Sequence, residues 1–322
     1  MRSDPRDASH EWLDVLLDAQ VDGKPLRASV GNSAICVALT LGHDEIQRKA
    51  GDVVRMALAA EFRREPLRRD DIARDAIGKE GTRAFPIIVA QAQHILRETF
   101  GMELVELRPR GAENPALVEQ AAEIDERLGR KRAKTEERRD VRRAFALRST
   151  LPPSIIAALA GSTDNAEPAL DWAPADGHSG GMGLLFVILA VVLLSGRRCA
   201  DDRLRANLAQ LGLSADRALP PSLQPVGIDP SAAAARGRFD PLDLDTFLAA
   251  LQRQGYLESA RLATSGETQQ KNEWRWGARA EAEIGEKAVA SFVSRLYTPK
   301  DERDESTDLM QRIERAAGTP LV

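Results

Sequence analysis

Three aspartates, Asp240, Asp243 and Asp245, crowd the stretch FDPLDLDTFL, and carboxylates this close invite comparison with a general acid–base pair. They also stand at the start of an amphipathic pattern, where acids gather at the positive end of a helix, and that role explains them better. GGMGLLF offers G-x-G, but Phe186 occupies the place of the third glycine and no strand precedes it, so no dinucleotide loop is expected. His10, His43, His94 and His178 are scattered, with no carboxylate or cysteine at ligand spacing. His94 reads as a surface or DNA-facing residue. Cys36 and Cys199 lie far apart, which excludes a disulfide framework and a zinc ribbon. There is no P-loop and no nucleophile elbow. The reading is a non-enzyme without cofactor or metal, in a reducing intracellular compartment.

The remaining chemistry is that of positive charge. The formal net charge is −4, yet its distribution matters more than its sum. Residues 1 to 45 carry 4 basic and 8 acidic side chains, 151 to 183 carry 0 and 4, and 300 to 322 carry 4 and 6. By contrast, 46 to 150 carry 23 and 18, and 184 to 299 carry 14 and 13. The patterned segments lean basic. Arg127 to Arg148 alone hold ten basic and three acidic residues, either a solvated insertion or a phosphate-contacting one. Lys131, Arg132 and Lys134 fit a short nuclear-import pattern.

The elements that must carry these charges follow from periodicity. Residues 1–45 read as a partly disordered extension with one amphipathic stretch, in which Trp12, Val15, Leu16 and Ala19 share a face. Residues 46–150 read as a domain. A first helix places Val53, Val54, Ala57, Leu58 and Phe62 in phase. A short second helix opens with Asp70 and Asp71, and a third tolerates Pro86 in its first turn and stops at Gly101. MELVELRP and AFALRS then alternate as strands around a basic insertion, 111–140. Residues 151–183 read as a flexible linker.

GLLFVILAVVLLSGRR opens a second domain, 184–299. Its eleven apolar residues reach about 17 Å, short of the ~30 Å needed to span a bilayer, so a buried helix is expected and no membrane contact. A second helix, Leu204, Leu208 and Leu211 in phase, and a third ending at Gly255 follow. Two strands place Trp274 and Trp276 on one face and Arg275 on the other. A closing helix ends the domain, and 300–322 read as an acidic C-terminal tail. Three helices and a two-stranded ribbon, twice over, is the winged-helix order, repeated with the same arginine and aspartate pairs.

VVRMALAAEFRREPLRRDDIARDAI, RAFPIIVAQAQHILRETFGMELVEL, GLLFVILAVVLLSGRR, LQRQGYLESAR and WGARAEAE resemble, in order, the blocks of the MAGE homology domain, over about two-thirds of the chain. The resemblance implies a mainly α fold with small β wings, two tandem winged-helix domains. It is most like the third non-SMC element of the SMC five-six complex. That implies a nuclear, non-catalytic scaffold in DNA repair that binds a RING-type ubiquitin-ligase subunit, a kleisin, double-stranded DNA and, indirectly, the SMC heads.

The RING contact falls on Ala57, Leu58 and Phe62. Val187, Ile188, Val191 and Leu194 form either a groove for a kleisin helix or ordinary core. A winged helix meets duplex through its third helix and wing, which here offer Arg253, Arg261, Lys271 and Arg275, although Arg275 could instead stack on its tryptophan neighbours. A free MAGE-type ligase adaptor and a sequence-specific winged-helix transcription factor are the alternatives.

Overall fold

The computed structural model describes residues 8–18, 20–21, 24–25, 27, 30–120, 143–159, 178–214, 217–220, 223, 243–262, 271–297 and 303–322. The chain forms two compact units, one of Met1–Phe62, Pro66–Glu106 and Arg142–Ile156, the other of Arg63–Glu65, Leu107–Val141 and Ala157–Val322.

In the first unit, α1 (Ala8–Asp18), a short antiparallel hairpin (β1, Gln20–Val21; β2, Lys24–Pro25) and α2 (Asn32–Leu41) precede the long helix α3 (His43–Phe62). Strand β3 (Leu67–Arg68) leads into α4 (Arg69–Asp71), which continues as a π-helical stretch, Ile72–Ile77, and then α5 (Gly78–Gly81). Helix α6 (Phe85–Ile95) runs on through a π turn, Leu96–Phe100, and Gly101 stops it at φ 59°, a conformation glycine adopts without steric cost. Strands β4 (Met102–Leu107) and β5 (Ala144–Ser149) complete a sheet ordered β3-β5-β4.

Helix α3 packs on α6, and Ile46, Val53, Ile87 and Ile88 are fully enclosed where they meet. Each such side chain stabilises the fold by about 1.5–3 kcal/mol. At the sheet's edge the Gln93 side chain accepts from the Leu104 N–H at 2.8 Å and donates to its carbonyl at 3.4 Å.

Residues expected to form a partly disordered extension belong to this core. Leu13, Leu16 and Leu17 of α1 are buried, whereas Val15 is 70% exposed. The buried face is therefore rotated from the expected one: Leu13 and Leu17 join Leu16 on it in place of Val15, because a leucine removes more apolar area from water than a valine.

The second unit is built around α8. Helix α7 (Pro153–Leu159), whose first four residues belong to the first unit, occupies part of the expected linker, and α8 (His178–Leu194) begins before the expected Leu184. Then follow β6 (Cys199–Ala200), α9 (Asp201–Gln210), α10 (Leu244–Gln254), β7 (Leu257–Leu262), β8 (Lys271–Trp276), α11 (Ala278–Glu283), α12 (Glu286–Tyr297) and α13 (Arg303–Ala317). The sheet is ordered β6-β8-β7, the same plan as the first, with antiparallel ladders pairing Cys199 with Trp274 and Leu257 with Trp276.

Helix α8 has apolar residues on every side because α9, β8, α12 and α13 all pack against it. Trp276 Nε1 donates to the Leu189 carbonyl at 3.0 Å, tying the sheet to the helix. No helix among the described residues is long and apolar enough to cross a membrane.

Helix α10 starts where Asp243 accepts from the Thr246 N–H at 2.7 Å, and it ends at Gly255 with φ 85°. Gly277 then passes so close that a Cβ on it would lie 2.1 Å from the Gly255 carbonyl oxygen. Two hydrogen bonds lock the crossing, Gly277 N–H to Tyr256 O at 2.8 Å and Arg279 N–H to Gly255 O at 3.0 Å.

The segment expected as a charged tail is the helix α13. Its Ile313 and Ala317, with Leu321 beyond it, are buried in the α8 core. Arg197 at φ 64° fastens that end. It grips Glu286 through Nε and Nη2 at 2.6 and 2.7 Å, the Ala317 carbonyl and Thr319 Oγ1 through Nη1 at 2.7 Å, and the Pro320 carbonyl at 3.1 Å. Glu286 in turn accepts from the Val322 N–H at 3.0 Å.

Candidate functional site

A cleft of about 380 Å³ opens beside the end of α10 and strand β7, lined by Arg110, Gly111, Ala249, Gln252, Arg253, Leu257, Glu258, Ser259 and Arg275. Its three arginines face one carboxylate, so the lining is net positive. Arg253 sits in the last turn of α10, exposed and without a carboxylate partner among the described residues. Arg110 donates to the Gln252 carbonyl at 3.0 Å, a neutral contact that leaves its charge uncompensated.

Arg275 differs. Register places it opposite Glu258, and its guanidinium donates to that carboxylate at 2.9 Å. Glu258 also accepts from Arg108 at 3.0 Å and from the Gly111 N–H at 3.2 Å, so its acceptors are filled. Arg108 further donates to both oxygens of Glu281, at 2.7 and 2.9 Å, and to the Trp276 and Ala112 carbonyls. Burial pulls the Arg108 pKa down, but Glu281 and Glu258 more than offset that, and it stays raised. Burial lifts the Glu281 carboxyl above the usual carboxylate range against the opposing pull of Arg108. Arg275 is thus part of a buried ion network, neither a free phosphate contact nor a partner stacked on the tryptophans.

Lys271 and Arg261 pair through their backbones with Leu262 and Asn272 in the wing, and their side chains lie outside the described residues. Lys131, Arg132 and Lys134 also lie outside them, as does Asp240. Asp243 and Asp245 serve the helix start as expected, the first as its cap and the second paired with Arg205 at 2.7 Å. The His43 ring lies 4.9 Å from that of Trp12, tilted against it by 51°, and no cluster of metal-ligating side chains occurs among the described residues.

Of the RING-facing set, Phe62 is 86% exposed and Leu58 half-buried, but Ala57 is enclosed in the core of the first unit. Of the kleisin-facing set, Val187 and Val191 are half-buried and Leu194 is 39% exposed, whereas Ile188 is fully buried in the α8 core. Ala57 and Ile188 are core residues. Sequence reasoning missed Arg110, which lies at the border of the expected insertion, in the run RPRG directly after β4.

The MAGE homology domain matches residues 53–287, a span that takes in the second half of α3, both three-stranded sheets and the Gly255–Gly277 crossing. The chain belongs to the MAGE homology domain family. It is 24% identical over 269 residues to human Melanoma-associated antigen D2 and 23% identical over 274 residues to Melanoma-associated antigen D1 of Rattus norvegicus. Each alignment covers 84% of this chain but 33% and 26% of those proteins, so the chain spans about a third or less of the curated relatives it matches. A chain of the solved Nse1-Nse3-Nse4 complex shares the fold, with a TM-score of 0.54 and 19% identity across 85% of this chain and 99% of that one. The tandem winged-helix architecture of the family is therefore the architecture of this chain.

Proposed function

We propose that this MAGE-family chain is the non-catalytic scaffold of an assembly of the Nse1-Nse3-Nse4 kind. In that reading it holds a RING-type subunit, a kleisin and double-stranded DNA, acts in the nucleus in DNA repair, and reaches the SMC heads indirectly. Lys131, Arg132 and Lys134 would serve import. The observation that carries the reading is that the chain from the Nse1-Nse3-Nse4 complex is matched over 99% of its length. Leu58 and Phe62 are the side chains of α3 left to meet a RING subunit, and Val187, Val191 and Leu194 those of α8 left to meet a kleisin helix.

Duplex DNA would be held through phosphates, without base reading, because the cleft lining is net positive. Arg110, Arg253, Arg261 and Lys271 are the contacts. The test is duplex binding by Arg253→Glu with Lys271→Glu. Affinity should fall at low salt, and the log–log salt slope should shrink by about 1.8, about 0.9 for each lost phosphate, with RING binding kept. An unchanged slope refutes the DNA assignment. A second reading, a free RING-ligase adaptor, is favoured by the matches to melanoma-associated antigens. Purification of the native assembly separates the two, since only the scaffold brings a kleisin with it.

A further inference from the structure

The second unit already contains a helix seated in a groove. Helix α13 lies on α8 and α12, and its apolar residues Leu309, Ile313 and Ala317 recur at i, i+4 and i+8, one face of a helix. Its other face is polar: Gln311, Arg312, Glu314 and Arg315 are exposed. Beyond Ala317 the chain leaves the helix at Gly318, φ 89°, and passes under the Arg197 guanidinium, which takes three backbone carbonyls and the Thr319 hydroxyl. Apart from the Thr319 hydroxyl, those contacts read main-chain oxygens and not side-chain identity, so another segment of the same shape can satisfy most of them. Glu286, only 5% exposed, holds Arg197 in place from the α12 side.

We infer that residues 303–322 are an intramolecular occupant of a helix-accepting groove on α8 and α12, and that a partner's amphipathic helix with the α13 pattern binds there by displacing them. The fastening at Arg197 and Glu286 sets how readily the groove opens. This rests on the proposed function in one respect only, that α8 meets a helical partner segment. If kleisin binding elsewhere were found, the groove and its occupant would stand. Access to α8 is then regulated by the chain itself, since Ile313, Ala317 and Leu321 share its core.

The experiment uses the full chain and a fluorescent peptide of residues 303–322 as the probe. Ile313→Asp releases α13 by placing a carboxylate in its apolar seat and leaves α8 and α12 untouched. Leu321→Asp releases the fastened end in the same way, since Leu321 is buried in the same core, and it leaves Arg197 and Glu286 free to take the peptide. The expected result is that both variants bind the wild-type peptide at least tenfold more tightly than the wild-type chain does. A peptide carrying the same Ile313→Asp change should not bind. Hydrogen exchange should show α13 alone losing protection in the variant chains. Folded variants that bind no peptide overturn the inference. So does loss of cooperative unfolding of the second unit in both variants, since a helix the domain cannot fold without is no exchangeable occupant.

Discussion

Replacing Gly277 by alanine adds one carbon, and the structure says where it goes. The backbone there is extended, φ −85° and ψ 160°, so alanine meets no conformational penalty, and any loss is steric. The new Cβ would lie 2.1 Å from the Gly255 oxygen, 2.7 Å from its carbonyl carbon and 2.9 Å from the Tyr256 carbonyl carbon. All three are backbone atoms, and none can swing aside. Relief requires the β8–α11 junction to move away from the α10 terminus by about 1 Å, enough to break both hydrogen bonds of the crossing. Overpacking of this kind costs about 1–3 kcal/mol, and each unmade bond about 1 kcal/mol more. The expected loss is about 3–5 kcal/mol.

Gly183→Ala is the control. It lies inside α8, nothing stands within 4 Å of its would-be Cβ, and it should gain about 1 kcal/mol from helix propensity alone. Urea denaturation followed by tryptophan fluorescence reads both, because Trp274 and Trp276 sit beside the crossing. A Gly277→Ala protein within 1 kcal/mol of the wild type would refute the account of why the WG motif needs its glycine.

Asp243→Ala should destabilise the second unit by about 1 kcal/mol through loss of the α10 cap. The hydrogen bonds from Thr246 hold the Asp243 carboxyl below its usual pKa, so its contribution is present above the unfolded value near pH 3.9 and is lost as pH falls through the lower folded value. The variant should therefore show a flatter acid limb in denaturation below pH 4, and an acid limb identical to the wild type would contradict the cap. Arg108→Met strands Glu258 and Glu281 together and should cost about 3–5 kcal/mol, whereas Arg253→Met should change stability by less than about 0.5 kcal/mol; thermal melts of the two distinguish network from surface. Trp276→Phe keeps an aromatic ring but removes the bond to Leu189 and part of the buried indole, with an expected loss of about 2–3 kcal/mol by the same melts.

The helices were legible wherever apolar phase and end signals agreed. Asp243 and Gly255 bracket α10, and Gly101 closes α6 and its π turn, as the sequence implies. The strands Leu67–Arg68 and Cys199–Ala200 escaped because two residues carry no alternation; only the sheet partner defines them. Helix α13 was hidden by attention to its charges, although Leu309, Ile313 and Ala317 already mark a face. Arg275 could not be judged from its own strand. What neutralises it is Glu258 across the ladder, and that depends on register, which turn length and packing set. Arg110 was illegible for the converse reason, since its place in the cleft follows from the path of the chain after β4 and not from any local pattern.

The amide of Gln93 has an effect beyond its two hydrogen bonds. Strand β4 is an outer strand of its sheet, and an outer strand is a template on which a foreign strand can lengthen the sheet. At Leu104 both main-chain groups are already taken by a side chain shaped like a peptide unit. Strand addition there would first have to evict Gln93, so this border of the first sheet is closed to pairing with other chains at the cost of a single residue.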